Sequence, residues 1–324
     1  FNAESWATQY DFPAVQRGDV VKSTFAHSKP SGMTGLVMNT RRAPFDDIRV
    51  REALIAAFNF EYINETLTGG AQPRITSYFS NSPLAMQDGP ATGRVAELLT
   101  PFADDLPAGA LDGYALPVSD GSARNRAGIR RAMGALADAG FSADGGTMRG
   151  PDGQPLSFSI LLSKGSSENI AIAELYIQAL ARLGITARVD AVDDAQFVAR
   201  NAAFDFDMAI FRRALSLSPG NEQRYYWGSE AADQEGSRNL MGVKSPAIDA
   251  MIDTMVGASS AEDFTAATRA LDRVLTAGRY VIPFWQFTED RIAHVAAMKY
   301  PSHVPLYGDG PNYMPEVWWI EPAR

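Results

Sequence analysis

The sequence predicts an α/β protein whose main lobe is a mostly parallel sheet covered by helices. Two observations carry that expectation. From Asn125 to Phe211 the apolar pattern alternates between helical and strand spacing, the order produced when parallel strands are joined by crossover helices. The chain is also 324 residues long, more than one hydrophobic core usually serves, so two domains, or one large domain with part of another, are expected.

Taken in order, Val20–Phe25 reads as an extended segment, followed by a turn at Ser28–Gly32 and an apolar strand at Gly35–Met38. Asp47 can cap a helix on which Val50, Ala53, Leu54, Ala57 and Phe58 recur at helical spacing, and Gly69 and Gly70 end it. Residues 71–125 are rich in Pro, Gly, Ser and Asp and read as long surface loops with one helical patch near Arg94–Leu99. Asn125 precedes a helix carrying Ile129, Met133 and Leu136, which Gly140 stops. The Asp152-Gly153 turn leads into an alternating strand of Leu156, Phe158, Ile160 and Leu162. A helix at Asn169–Leu183, a strand at Ile185–Val192, a short helix at Ala195–Asn201 and a strand at Phe206–Phe211 complete the alternation. Helices at Pro246–Val256 and Ala261–Ala277 precede an apolar strand at Tyr280–Phe287, and the residues beyond it show little periodicity.

Composition removes several functional classes. A formal net charge of -9 and the absence of any Lys/Arg cluster argue against nucleic acid as a partner. There are no cysteines, which excludes disulfides, thiolate metal sites and Cys nucleophiles. His27, His294 and His303 lack the spacing of a zinc motif, and no nucleophile elbow, phosphate loop or dinucleotide fingerprint occurs. Asp205 and Asp207 open a strand, where a solvated strand face is the simpler reading than an acid/base pair. No catalytic residue, metal ligand or cofactor is therefore expected.

Sheets of this kind bind ligands beyond the carboxyl ends of their strands. The segment 212–224 follows such a strand and is dense in hydrogen-bonding groups, with Ser216, Ser218, Asn221, Glu222 and Gln223 ahead of Tyr225, Tyr226 and Trp227. Glu222 could pair an ammonium group while Ser, Asn and Gln meet amides. The alternative is a polar surface loop turning at Pro219-Gly220. Trp227, Phe284, Trp285 and the Trp318-Trp319 pair are candidates for pocket walls, although large aromatics more often serve the core.

The run Leu36–Glu61 resembles the signature of family 5 extracellular solute-binding proteins, the dipeptide and oligopeptide binders of ABC importers. In that family an asparagine closes a strand, a Pro-Phe-Asp turn follows, and a D-x-R-V-R-x-A helix begins. Asn39, Pro44, Phe45, Asp46, Asp47, Arg49, Val50, Arg51 and Ala53 occupy those places. The segments Gln178–Ile185, Phe204–Met208, Arg238-Asn239 with Pro246–Asp249, and Val281–Trp285 are similar to the family as well. Tyr78–Ser82, Ser216–Gln223 and Trp227–Ser229 narrow the resemblance to the Yej-type branch, whose members take up peptides and microcin C.

The resemblance implies a periplasmic binding protein-like fold of class II, two lobes around a cleft. Residues 1–34 would end a first-lobe segment, 35–278 would form the second α/β lobe, and 279–324 would return to the first. The chain begins at Phe1, not Met, as expected of a processed protein or a piece of a longer one, and the missing N-terminal part of the first lobe would be a partner. The resemblance further implies a soluble periplasmic location, a peptide or peptide-like ligand, and ABC permease transmembrane subunits as partners. Ser216, Ser218, Asn221, Glu222, Gln223 and Asn239 would supply polar contacts, Trp227 and Trp285 apolar walls, and Arg41 with Arg42 a ligand carboxylate or phosphate contact, unless these two form a solvated turn. In the better-known members an aspartate shortly after a tryptophan pairs the ligand ammonium, and Ala214–Ser218 here has neither. Glu222 or the missing part would then take the ammonium. A non-peptide solute (sugar, metal chelate or cell-wall fragment) and an α/β hydrolase stand as alternatives.

Overall fold

The computed structural model describes residues 6, 8–303, 305–308 and 313–321. The outermost residues of the two expected end segments, 1–5 and 322–324, lie outside the described residues. Besides single helical turns and a short strand pair near the end, the elements are β1 (Val20–Ala26), β2 (Met33–Met38), α1 (Ile48–Ala57), α2 (Phe60–Thr68), α3 (Gly93–Leu99), α4 (Arg126–Asp138), β3 (Ser142–Asp144), β4 (Thr147–Arg149), β5 (Ser157–Ser163), α5 (Ser167–Ala181), β6 (Thr186–Val192), α6 (Asp194–Ala202), β7 (Met208–Arg213), α7 (Glu222–Trp227), α8 (Pro246–Val256), α9 (Ala261–Ala277), β8 (Val281–Pro283) and β9 (Glu289–Val295). No described helix is long and apolar enough to cross a membrane.

Five strands form the main sheet in the order β6-β5-β7-β2-β8. β5 is parallel to β6 and β7, whereas β2 is antiparallel to β7 and β8. Four strands thus run one way, with β2 inserted against them. The inner strands are buried on both faces, which changes the expected alternation. Ile160 and Leu162 face one core with Leu36 and Met38, while Leu161 and Val37 face the other. The first core is closed by Leu54 of α1, Leu136 of α4 and Tyr176 of α5, and the second by Ile252 of α8, Leu271 of α9 and Trp227. Strands covered on both sides read as continuous apolar runs.

Local signals set most helix ends. Asp47 caps α1 by accepting from the Arg49 N–H at 2.8 Å. Ser260 caps α9 by accepting from the Asp263 N–H at 3.0 Å, and its hydroxyl donates to the Asp263 carboxylate at 2.9 Å. The one helix expected up to Gly69 is instead two, broken where Phe58 turns extended. Long-range contacts drive the break: Asn59 donates to Ser122 O at 2.7 Å and accepts from the Ser119 hydroxyl at 2.6 Å, and Phe58 stacks on Phe284.

The C-terminal residues, with their little periodicity, contain β9, which pairs antiparallel with β1 from Val20↔Val295 to Ala26↔Glu289. This ribbon is separate from the main sheet, and residues 27–32 and 284–288 connect the two. β8 lies in the main sheet, so the chain leaves that sheet after Pro283 and not at residue 279.

Candidate functional site

At the carboxyl edge of the sheet, β5, β6 and β7 end at Ser163, Val192 and Arg213, and antiparallel β2 starts there, with Met33 opposite Arg213. Both connections to the ribbon leave from this edge. Gly32 makes the first of them possible: its φ is +63°, and a Cβ at this position would lie 2.1 Å from Arg213 O, so only glycine fits this approach. The connections are tied together by the His27 N–H to Thr288 O (3.1 Å) and by Lys29 to Asp290 (2.7 Å). Asn81 donates to His27 O (3.2 Å) and Lys29 O (3.0 Å), fixing the 77–82 loop against the crossover. Burial, followed by the charge of Lys29, holds His27 below its ordinary value.

Between β7 and α7 the chain presents the polar loop at this same edge. Ser218 and Asn221 are exposed and Ser216 is half-buried. The Ser216 hydroxyl accepts from the Ser218 N–H at 3.2 Å, which fixes the loop tip. The Tyr307 hydroxyl accepts from the Leu217 N–H at 2.9 Å, so the C-terminal segment reaches the loop. Glu222 accepts from the Gly220 N–H (2.9 Å) and the Gln223 amide (3.1 Å) through one carboxylate oxygen. Burial opposes its ionisation, but these two donors together with its own backbone N–H outweigh burial and hold Glu222 below the usual carboxylate range. It is an exposed anion at neutral pH.

Six other candidates are placed differently. Trp227 has no exposed surface, and its indole N–H donates to Gln223 Oε1 at 2.6 Å. Gln223 is 1% exposed, and its amide donates to Glu222. Both are buried and brace the loop from beneath. Asn239 is fully buried and uses its whole side-chain capacity, donating to Gly228 O and Val243 O and accepting from the Gly242 and Val243 N–H groups. Arg41 follows the end of β2, at the opposite edge of the sheet from the 214–222 loop, since Met38 pairs with Met208 at the start of β7. It donates to Ala232 O, Asn239 O, Leu240 O and the Asn39 side chain, stacks on Phe204, and is pushed down to about 10 by burial. Arg42 binds Asp205 (2.9 Å) and Asp207 (3.1 Å) at the same far edge, which occupies both carboxylates that open β7. Trp285 stands in the second connection, 8% exposed and packed on Phe284.

The structure therefore brings together Ser216, Ser218, Asn221 and Glu222, sets Tyr307 against them through Leu217, and places Asn81 on the crossover. No local pattern marks the last two, because their partners are distant in sequence.

Residues 1–235 match the family model of bacterial extracellular solute-binding proteins, family 5 (middle). The chain belongs to this family. It is 41% identical over 315 residues to the peptidoglycan-binding protein YepA of Agrobacterium fabrum, covering 97% of the chain and 50% of that protein. It is 39% identical over 322 residues to the probable peptide-binding protein YejA of the same organism, covering 98% and 52%, and 32% identical to YejA of Escherichia coli over 99% and 52%. These matches bear out the Yej-type resemblance. The family 5 chain spans about half the length of the curated relatives it matches. Among solved structures, the oligopeptide-binding protein AppA of Bacillus subtilis in complex with a nonapeptide superposes with a TM-score of 0.70 at 16% identity, over 99% of this chain and 55% of that one. That likeness bears out the class II binding-protein fold.

Proposed function

We propose that this family 5 protein is the periplasmic substrate-binding component of an ABC importer, capturing peptides or peptide-like compounds and delivering them to the permease. The supporting observation is the 214–222 loop at the sheet edge from which both connections to the ribbon leave. Motion about residues 27–32 and 284–288 would close the first lobe over a ligand resting on that loop. Ser216, Ser218 and Asn221 offer hydroxyl and amide groups to a peptide backbone, and the second oxygen of Glu222 offers an anion to an ammonium group. Binding and release, without turnover, is the action this arrangement supports. The remainder of the first lobe would come from the part of the relatives' length that this chain does not span.

The ligand class is read from the same place. Relatives named for peptide binding and for peptidoglycan binding are about equally similar to this chain, and peptide stems are common to both ligand types. A peptide-bearing cell-wall fragment is therefore the second reading. Native mass spectrometry of the full-length protein purified from its host tests both. A series of peptide masses, or a sugar-peptide mass, diminished by Glu222→Ala is the expected result. A retained ligand without amide bonds, indifferent to that substitution, would overturn the peptide reading.

A further inference from the structure

Beside the loop lies a cavity of about 410 Å³ between α6 and residues 236–240. Phe197, Phe211 and Leu240 give it an apolar lining, and its only charged lining residues are Arg212, Arg213 and Arg238. Arg212 and Arg213 end β7 and lead directly into the polar loop. None of the three makes an ion pair among the described residues, in a chain with 38 acidic and 29 basic side chains.

Arg213 is held in place, with its guanidinium 4.2 Å from the Tyr226 ring centroid, yet its Nε–H is buried without a hydrogen-bond partner. Burial holds Arg213 below its ordinary value; Tyr226 acts against this shift and the like charge of Arg238 acts with it. Arg213, the one of the three that is partly buried, has no counter-charge to offset its desolvation, and exposed Arg212 and Arg238 add like charge at the cavity rim. A planar guanidinium fork suits a carboxylate or a phosphate, and the lining suits a hydrocarbon stem.

We infer that this cavity is a subsite for an oxyanion carried on an apolar stem, so that the lobe selects a ligand bearing an acidic group near the polar loop. The inference rests on the importer reading for its physiological ligand. Its chemistry can be tested separately.

The experiment is methyl NMR of the full-length protein with labelled Val and Leu, titrated with isocaproate, isoamyl phosphate and isoamylamine. Val198 and Leu240, both on the lining, report occupancy. One or both anions should shift these methyl signals and the amine should not; which anion binds more tightly separates a carboxylate source from a phosphate source. Arg212 and Arg238 are exposed, so the R212Q/R238Q variant should fold normally and weaken the anion by roughly tenfold or more, the scale of a lost charged hydrogen bond. Arg213→Lys keeps the charge but loses the fork and should weaken it less. Anions that leave Val198 and Leu240 unmoved, an amine that moves them equally, or a variant that binds unchanged would each overturn the subsite, including the case in which a carboxylate from the rest of the protein fills it. A native ligand retained equally by R212Q/R238Q would overturn the subsite and leave the importer standing. If no form retains a ligand, the importer reading fails while the titration still decides the cavity.

Discussion

Asp272 of α9 is fully buried and accepts four hydrogen bonds, from the Ser77 hydroxyl (2.7 Å) and the N–H groups of Tyr78 (2.7 Å), Phe79 (3.3 Å) and Met86 (2.9 Å). It organises the 77–86 segment that reaches the crossover through Ser80 and Asn81. Replacement by Asn turns one acceptor oxygen into a donor facing two existing donors. At about 1–3 kcal/mol for each buried group left unpaired, Asp272→Asn should cost about 2–5 kcal/mol at neutral pH. The pH dependence is more diagnostic. Burial pushes the carboxyl up from 3.8 to about 6 against the pull of its donors, so the folded state binds this proton more tightly than the unfolded state does. The group's contribution to stability is fully present below about pH 4 and declines as pH rises through 6, in total by about 3 kcal/mol for a shift of roughly two units. Asn does not titrate. The deficit of the mutant, measured by urea denaturation of both proteins, should therefore grow as pH falls from 7 to 4, while groups common to both cancel. A deficit that shrinks over that range would mean that the four donors outweigh burial, and would refute the reasoning.

Two further substitutions separate bracing from binding. Arg41→Gln withdraws a half-buried guanidinium from three backbone carbonyls and should lower stability by about 2–4 kcal/mol, read as a shift in the urea midpoint, while leaving ligand affinity by calorimetry unchanged. Trp227→Phe removes the indole donor from buried Gln223 and should cost about 1–3 kcal/mol; affinity measured where the variant is fully folded should again hold, whereas a tenfold loss would return Trp227 to the ligand.

The sheet and its helices were legible wherever one segment carries its own evidence. Asp47 gives a helix end because a cap acts within three residues, and Pro246 marks another because it fits the first turn of a helix. The crossover order was legible because it is a sequence of periods. β9 was not, since a ribbon strand with little fully buried surface leaves no alternation to detect; only its pairing with β1, some 270 residues away, defines it. The same limit explains the broken helix at Phe58, where Asn59 answers to Ser119 and Ser122, and the direction of β2, which no local pattern encodes.

The candidate site divides along that line. A polar side chain near a sheet edge has the same identity whether it meets a ligand or satisfies its own chain. Ser218 and Glu222 face outward while Gln223 and Asn239 face inward, and the difference lies entirely in partners: an indole N–H for one, and Gly228, Gly242 and Val243 for the other. Buried polar groups must be paired, so a fully satisfied amide inside the fold has no capacity left for a ligand. The converse carries the functional argument. At Arg213 the fold leaves a half-buried guanidinium without a counter-charge, and at Glu222 it keeps an anion ionised at the surface; these are the two charges the proposed ligand would meet. These two residues flank one loop with opposite charges, so a ligand that satisfies both must carry a cationic and an anionic group on the same short scaffold.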